Sequence, residues 1–164
     1  MAIALCALLF SFYGAWLERD QVRRSSRPEM MMSYFFNQEG SGFLFGNVGL
    51  GPARLKWFQI LVDGKPQINW ADMLHSLGFP TRPEFSFVRP GPTWSADSYI
   101  RVFWLSPGPA DEKLRAERDR VELSACYCSI FDECWLVTDQ AGPRAVDQCE
   151  PSPEVTFGGR PGQP

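Results

Sequence analysis

The sequence has little of the chemistry on which most enzymes depend. Its 164 residues include a single histidine, His75, which removes most histidine-based acid–base catalysis and most mixed Cys/His zinc sites. His75 lies off the apolar stripe of a short predicted helix, and we interpret it as a surface residue. Gly49 and Gly51 lack the third glycine and the following helix of a dinucleotide-binding loop. We therefore expect no catalytic residues, no cofactor and no metal, and we predict that the protein is not an enzyme.

Positive charge is also scarce where a nucleic-acid-binding protein needs it. The formal net charge is -3, and no basic patch is evident in the part predicted to fold. Binding to a phosphate backbone requires a basic surface, so we expect no nucleic-acid partner.

Charge is missing altogether from residues 2–17, which are apolar apart from Ser11. The run is at the short edge of the roughly 17–25 residues that a membrane-spanning helix needs. Tyr13 and Trp16 lie near its end, where aromatic side chains favour the lipid–water interface. We predict a single-pass membrane anchor and juxtamembrane helix over residues 1–27, with the lipid bilayer as partner through residues 2–17.

The side of the membrane on which the domain lies is left open by two opposing signals. Four arginines follow the apolar run (Arg19, Arg23, Arg24 and Arg27), and the positive-inside rule then places the domain in the cytoplasm. Disulfide bonds require an oxidising compartment. We favour an extracytoplasmic, periplasmic domain on an inner-membrane anchor.

The remaining chain is typical of short strands joined by tight turns. Phe (13), Trp (6), Pro (14) and Gly (14) are plentiful, a composition that favours β-structure over a helical bundle. Residues 28–149 are predicted to form an antiparallel, immunoglobulin-like β-sandwich. One short helix is inserted over residues 69–78, where Asn69 is the N-cap and Gly78 ends the helix. Residues 150–164 are rich in proline and glycine and are predicted to be disordered.

Two turns organise the predicted architecture. Their residues are Asn47, Gly49, Gly51, Pro52, Asp63 and Gly64. Asn47 and Gly49 tolerate left-handed backbone angles, and Gly51-Pro52 is typical of a kink at a sheet edge. The strand between the turns is predicted to place Leu55 and Trp57 on the same face. Asp63-Gly64 is the signature of a type I′ hairpin turn, which sends the chain straight back.

Four cysteines within 24 residues carry the strongest chemical signal: Cys126, Cys128, Cys134 and Cys149. Residues 120–129 alternate with period two, which directs Cys126 and Cys128 outward and Leu123 and Tyr127 inward. Cys128 and Cys134 flank a five-residue turn and could pair across a hairpin, leaving Cys126 for Cys149. We favour disulfide bonds. Reduced buried thiols, a metal site with poor spacing and a redox-active thiol are the alternatives.

Two segments resemble uncharacterised bacterial proteins that have one N-terminal transmembrane helix and a small β domain. The first comprises residues 47–53 (N-V-G-L-G-P-A) and 62–66 (V-D-G-K-P), and the second is residues 126–135 (C-Y-C-S-I-F-D-E-C-W). The order of the first segment is also similar to CARDB-type immunoglobulin-like adhesion modules. The resemblance implies a membrane-anchored β-sandwich and supplies no catalytic residues.

The predicted function is that of a membrane-anchored, non-catalytic binding or assembly module. Two alternatives belong to other classes. One is a membrane-tethered thiol redox protein that uses Cys126, Cys128 and Cys134; the other is an accessory subunit of a membrane complex.

Overall fold

A computed structural model describes residues 2–79, 84–85, 93–149, 155 and 157–158, without the side chains of residues 2–8 and 84–85. The rest of the predicted tail over residues 150–164 lies outside the described residues, as does most of the proline-rich stretch after Phe79.

The chain is mainly β, as predicted, and every strand pair among the described residues is antiparallel. The strands are β1 (Met30–Asn37), β2 (Gly40–Asn47), β3 (Ala53–Val62), β4 (Lys65–Gln67), β5 (Glu84–Phe85), β6 (Thr93–Trp94), β7 (Ser98–Leu105), β8 (Val121–Cys128), β9 (Cys134–Thr138) and β10 (Arg144–Val146). One sheet has the order β1-β2-β7-β5. The other has the order β10-β9-β8-β3-β4, and β6 pairs with β3 beside it.

Aromatic side chains fill the core shared by the two sheets. Phe45 on β2 contacts Phe58 on β3 with ring centroids 5.4 Å apart. Trp70 is 2% exposed and lies between the sheets, where its ring centroid is 5.1 Å from Phe103 and 6.4 Å from Phe58. Burial of aromatic rings of this size supplies most of the driving force for such a core.

A β-bulge divides β3 into two parts with opposite phase. Its pairing with β8 shifts register between Leu55 and Trp57. Leu55, Phe58, Ile60 and Val62 all belong to the core, while Trp57 is half-buried on the opposite face. The prediction that Leu55 and Trp57 share a face is therefore wrong, because one extra residue reverses the alternation of side chains.

In the part of the chain that the structure describes, two α-helices, rather than the single one predicted, are inserted between strands. In α2 (Trp70–Ser76), the side chain of Asn69 accepts a hydrogen bond from the Asp72 amide, as predicted. Gly78 ends this helix with a φ of +72°, and His75 is exposed. The second helix, α3 (Pro109–Ala116), is charged in sequence, yet Leu114 is fully buried.

The N-terminal helix α1 (Ala2–Ser25) continues well past the apolar run. Within the described part of the chain, no helix has both the length and the apolar character that a membrane crossing requires. The predicted transmembrane anchor is therefore not supported. The physical reason is that charged residues begin at Glu18, so only the first two-thirds of α1 is apolar.

A few residues of the C-terminal tail pack against the domain. The amide of Phe157 donates to the Phe58 carbonyl at 2.8 Å, and that of Gly158 donates to the Ile68 carbonyl at 2.9 Å. The Phe157 ring is 2% exposed and its centroid is 4.9 Å from that of Trp70. These residues depart from the predicted disorder because an aromatic ring gains enough by burial to offset the entropy lost on ordering.

Candidate functional site: the disulfide cluster

The period-two pattern of β8 separates two sets of side chains, as predicted. Val121, Leu123, Ala125 and Tyr127 belong to the main core. Cys126 and Cys128 point to the other face of the sheet, where they form a separate buried cluster with Cys134 and Cys149. We call these four residues the disulfide cluster.

Cys128 and Cys134 are joined across the β8–β9 hairpin. They are directly opposite in the strand register, and their Cα atoms are 4.0 Å apart. The turn is held by Ser129, whose amide donates to the Glu133 carbonyl at 2.8 Å and whose hydroxyl accepts from the Phe131 amide at 3.1 Å. Asp132 supplies the left-handed residue, with φ of +61°.

Cys126 is joined to Cys149, with Cα atoms 5.6 Å apart. Cys149 reaches the outer face because β10 pairs with the edge of β9 and the chain then passes back over the sheet. The Trp57 indole nitrogen donates to the Cys149 carbonyl at 2.8 Å. Trp57, Leu136 and Val146 pack around the cysteines, so the bulge that moved Trp57 outward also covers the cluster.

The predicted disulfide pairing is thus confirmed. A metal ion would need thiolate ligands, whereas all four of these sulfur atoms are in disulfide bonds. The two bonds touch each other: Sγ of Cys128 lies 3.7 Å from Sγ of Cys149. The Sγ atoms of Cys128, Cys134 and Cys149 all lie within 4.8 Å of one another.

An open cavity of about 480 Å³ borders the cluster. Its lining residues are Lys56, Trp57, Cys128, Asp132, Cys134, Asp147, Gln148 and Cys149. One wall is formed by Asp132, which is paired with Arg54 of β3. No pattern in the sequence indicated that Lys56 or Trp57 belongs to this site, because their positions depend on the bulge in β3.

The residues of the first predicted turn lie apart from the disulfide cluster, around the fully buried side chain of Asn47. Asn47 Oδ1 accepts from the amides of Glu29 and Gly49, each at 3.1 Å. Its Nδ2 donates to the carbonyls of Gly51 at 2.7 Å and Ser95 at 3.1 Å. Asn47 therefore joins three separate segments through their backbones.

Gly49 and Gly51 serve a purpose that the sequence did not indicate. Neither glycine, nor Asn47, is among the residues with a positive φ, so the left-handed backbone expected of Asn47 and Gly49 is not adopted. Instead, the connector between α1 and β1 passes over them. A Cβ on Gly51 would lie 1.7 Å from the Ser26 carbonyl oxygen, and one on Gly49 would lie 2.3 Å from the Glu29 nitrogen. Pro52 follows at the start of β3.

The second predicted turn is confirmed. Asp63 and Gly64 have φ of +50° and +75°, as a type I′ turn requires. The Arg120 guanidinium donates bidentate hydrogen bonds to the Asp63 carboxylate from its Nε and Nη2 atoms. This hydrogen bonding holds the pKa of Asp63 below its usual range and raises that of Arg120.

The end of α1 contacts the β8–β9 hairpin next to the cluster. Arg23 pairs with Glu133 at 3.2 Å and lies over the Phe131 ring at 5.8 Å. Arg27 lies 5.1 Å from the Trp135 ring centroid. Arg23 lies in the last turn of α1, whereas Arg27 lies in the connector that follows it. No helical spacing in the sequence therefore indicated that the two would contact the same hairpin.

Comparison with protein-family models, with curated proteins and with solved structures finds no match to this chain.

Proposed function

We propose that this protein is a membrane-attached, non-catalytic binding or assembly module. The observation that carries the proposal is a set of large apolar side chains on α1 that remain exposed: Leu9, Phe10, Phe12, Tyr13, Trp16 and Leu17. Each is at least 45% exposed. Apolar patches of this kind are typical of membrane or protein contacts.

We favour a lipid bilayer as the partner of this surface. Tyr13 and Trp16 stack at 6.2 Å at the end of the apolar run, and basic residues begin at Arg19. Aromatic rings followed by arginines fit the headgroup region, where amphipathic rings and positive charges are both favoured. Contact with a membrane protein, as in an accessory subunit, is the competing arrangement.

The β domain is proposed to be immunoglobulin-like, which the order of its strands supports. An immunoglobulin constant domain has sheets of order A-B-E-D and C-F-G, and a variable domain adds C′ beside C. Here β1-β2-β7-β5 corresponds to the first order. In the second sheet, β9-β8-β3-β4 corresponds to G-F-C-C′. Such domains commonly present loops and edges to partners, as the resemblance to CARDB-type modules also suggests.

Carboxylates that could serve in acid–base catalysis are tied to arginines instead. Asp111 pairs with Arg115 at 2.8 Å, and the buried Asp139 pairs with Arg118. Each of these carboxylates is thereby occupied by a guanidinium within the fold, and neither is a free acid–base group.

Flotation of the full chain with vesicles tests the attachment to lipid. The wild type is expected to float with vesicles that contain anionic phospholipid. A variant with Phe10→Ser, Phe12→Ser and Leu17→Ser is expected to remain at the bottom. The matched control carries Leu50→Ser and Ile130→Ser, which remove exposed apolar residues of the β domain, and it is expected to float. A wild type that does not float but co-purifies with a membrane protein would favour the accessory-subunit alternative.

Topology is tested by fusions at Pro164. We propose that the domain lies outside the cytoplasm of a bacterial cell, attached to the inner membrane, because two disulfide bonds need an oxidising compartment. An alkaline phosphatase fusion is then expected to be active and a green fluorescent protein fusion dark. The reverse pattern would place the domain in the cytoplasm.

A further inference from the structure

The two disulfide bonds lie in contact, so that a sulfur atom of one faces a sulfur atom of the other. Cys128 belongs to the hairpin bond and Cys149 to the bond that fastens the C-terminal segment. Their Sγ atoms are 3.7 Å apart, which is van der Waals contact for sulfur. A thiolate at either position would need to move by less than 2 Å, roughly, to form a disulfide bond with the other.

Access to the cluster is unequal among its members. Cys128, Cys134 and Cys149 line the open cavity, whereas Cys126 does not. Cys126 is also outside the set of three sulfur atoms that lie within 4.8 Å of one another. An external thiol entering the cavity meets Cys134 of the hairpin bond, which at 8% is the most exposed cysteine of the cluster. Cys126, bonded to Cys149, is the least exposed at 1% and lies outside the cavity lining.

We propose that the disulfide cluster is a thiol–disulfide exchange site that accepts two electrons from an external dithiol and moves its remaining bond to Cys128–Cys149. One thiolate of the dithiol attacks Cys134 and forms a mixed disulfide, and Cys128 leaves as a thiolate. Cys128 attacks Cys149, and Cys126 leaves as a thiolate that takes up a proton. The second thiol of the dithiol then attacks the first sulfur of the same dithiol, which is still bonded to Cys134, and Cys134 is released.

Electrons and protons balance over these three steps. The dithiol loses two electrons and two protons and becomes a disulfide. The protein gains both, and it ends with thiols at Cys126 and Cys134 and one disulfide between Cys128 and Cys149. Exchange proceeds by thiolate attack through a mixed disulfide in this way. The remaining Cys128–Cys149 bond is therefore new, since it is absent from the oxidised protein.

The exchange would also change which segments of the chain the disulfide bonds cross-link. In the oxidised protein, the first bond ties β8 to β9 and the second ties β8 to the segment that follows β10. After exchange, a single bond still fastens that segment to β8, while the hairpin is free of its cross-link. The cluster would thus release the hairpin, which contacts Arg23 of α1 through Glu133 and Arg27 of the following connector through Trp135.

The test is partial reduction of the oxidised full chain with limiting dithiothreitol, followed by acid quenching, labelling with N-ethylmaleimide and peptide mapping. Among molecules that have lost one disulfide, the expected product carries label on Cys126 and Cys134, besides Cys6, and has a Cys128–Cys149 bond. Label on Cys128 and Cys134, with Cys126–Cys149 intact, would overturn the proposal, as would retention of Cys128–Cys134.

A pair of single substitutions repeats the test without a reductant. Cys134→Ser leaves Cys128 free beside Cys149, so part of the label is expected on Cys126 and a Cys128–Cys149 bond should be found. Cys128→Ser removes the attacking sulfur, so among the four cysteines of the cluster label is expected on Cys134 alone; Cys6, which is in neither bond, is labelled in every variant. Label confined to Cys128 in the first variant would contradict the exchange. If either variant fails to fold, the mapping of the partly reduced wild type decides the question.

Discussion

The two faces of the β8–β3 sheet are held in different ways. The inner face belongs to one continuous core that reaches both sheets and includes Trp70 and Phe58. On the outer face, the buried members of the cluster are the four cysteines, with three partly buried apolar neighbours. So small a group buries little apolar area, and this face is stabilised mainly by its two disulfide bonds instead. The same strand, β8, supplies residues to both faces.

The largest expected effect is on the inner face. Trp70→Ala should lower the free energy of unfolding by about 4 kcal/mol, since it removes a large buried ring from a site that cannot fully collapse. Urea unfolding followed by circular dichroism measures the loss. The control Trp16→Ala removes a ring that is 61% exposed and should change stability by no more than about 0.5 kcal/mol. Equal effects would mean that Trp70 does not organise the core.

The tail offers a second way to test the inner face. Phe157→Ala should cost about 3 kcal/mol, because the ring is buried against Phe58 and Trp70. Phe36→Ala is the matched control, as that ring is 67% exposed. Unfolding in urea again gives the comparison. A Phe157 variant as stable as the wild type would show that the tail does not contribute to the core in solution.

The outer face should depend on its two bonds to different degrees. Loss of Cys126–Cys149, which spans 23 residues, should cost roughly 3 kcal/mol in the chain-entropy account. Loss of Cys128–Cys134, which spans 6 residues, should cost roughly 2 kcal/mol. Paired Cys→Ser variants measured by urea unfolding give both values. A larger loss from the short loop would mean that chain entropy does not set the order.

The smallest expected change in the free energy of unfolding at neutral pH is for Tyr127, on the inner face of β8. Burial raises the pKa of Tyr127 to about 12. Because its pKa is higher in the folded state, its contribution to stability is complete below about pH 10 and is lost as the pH rises through about 12.

Absorbance of tyrosinate during alkaline titration should show this step in the wild type and not in Tyr127→Phe. That substitution should change stability by about 1 kcal/mol or less at pH 7. The variant Tyr99→Phe removes an exposed tyrosine and should retain the late step. Disappearance of the late step in Tyr99→Phe would show that it had been assigned to the wrong tyrosine.

Local patterns were sufficient where neighbouring residues decide the outcome. The alternation of β8 and the length of the β8–β9 turn predicted both disulfide bonds, and Asn69 and Gly78 predicted the ends of α2. The hairpin of β3 and β4 was predicted from Asp63-Gly64, because few residues tolerate the backbone angles of that turn.

Contacts between distant segments could not be predicted in the same way. The need for glycine at position 51 depends on where Ser26 passes, 25 positions earlier in the chain. The bulge in β3 depends on the register of β8, and an extra residue leaves no mark in an alternating sequence. The charged segment around Leu114 became a helix because one side of it meets the sandwich. Each of these features requires the tertiary arrangement to be known first.

The close passage of the connector over Gly49 and Gly51 has a consequence for how the domain meets a partner. The amide of Leu50 donates to the Arg27 carbonyl at 3.1 Å, and that of Val48 donates to the Glu29 carbonyl at 2.8 Å. These bonds fix the connector to the domain, so the residues that link the domain to α1 do not form a loose tether. An ordered link of this kind lowers the rotational entropy that remains to be lost when the domain associates with a partner.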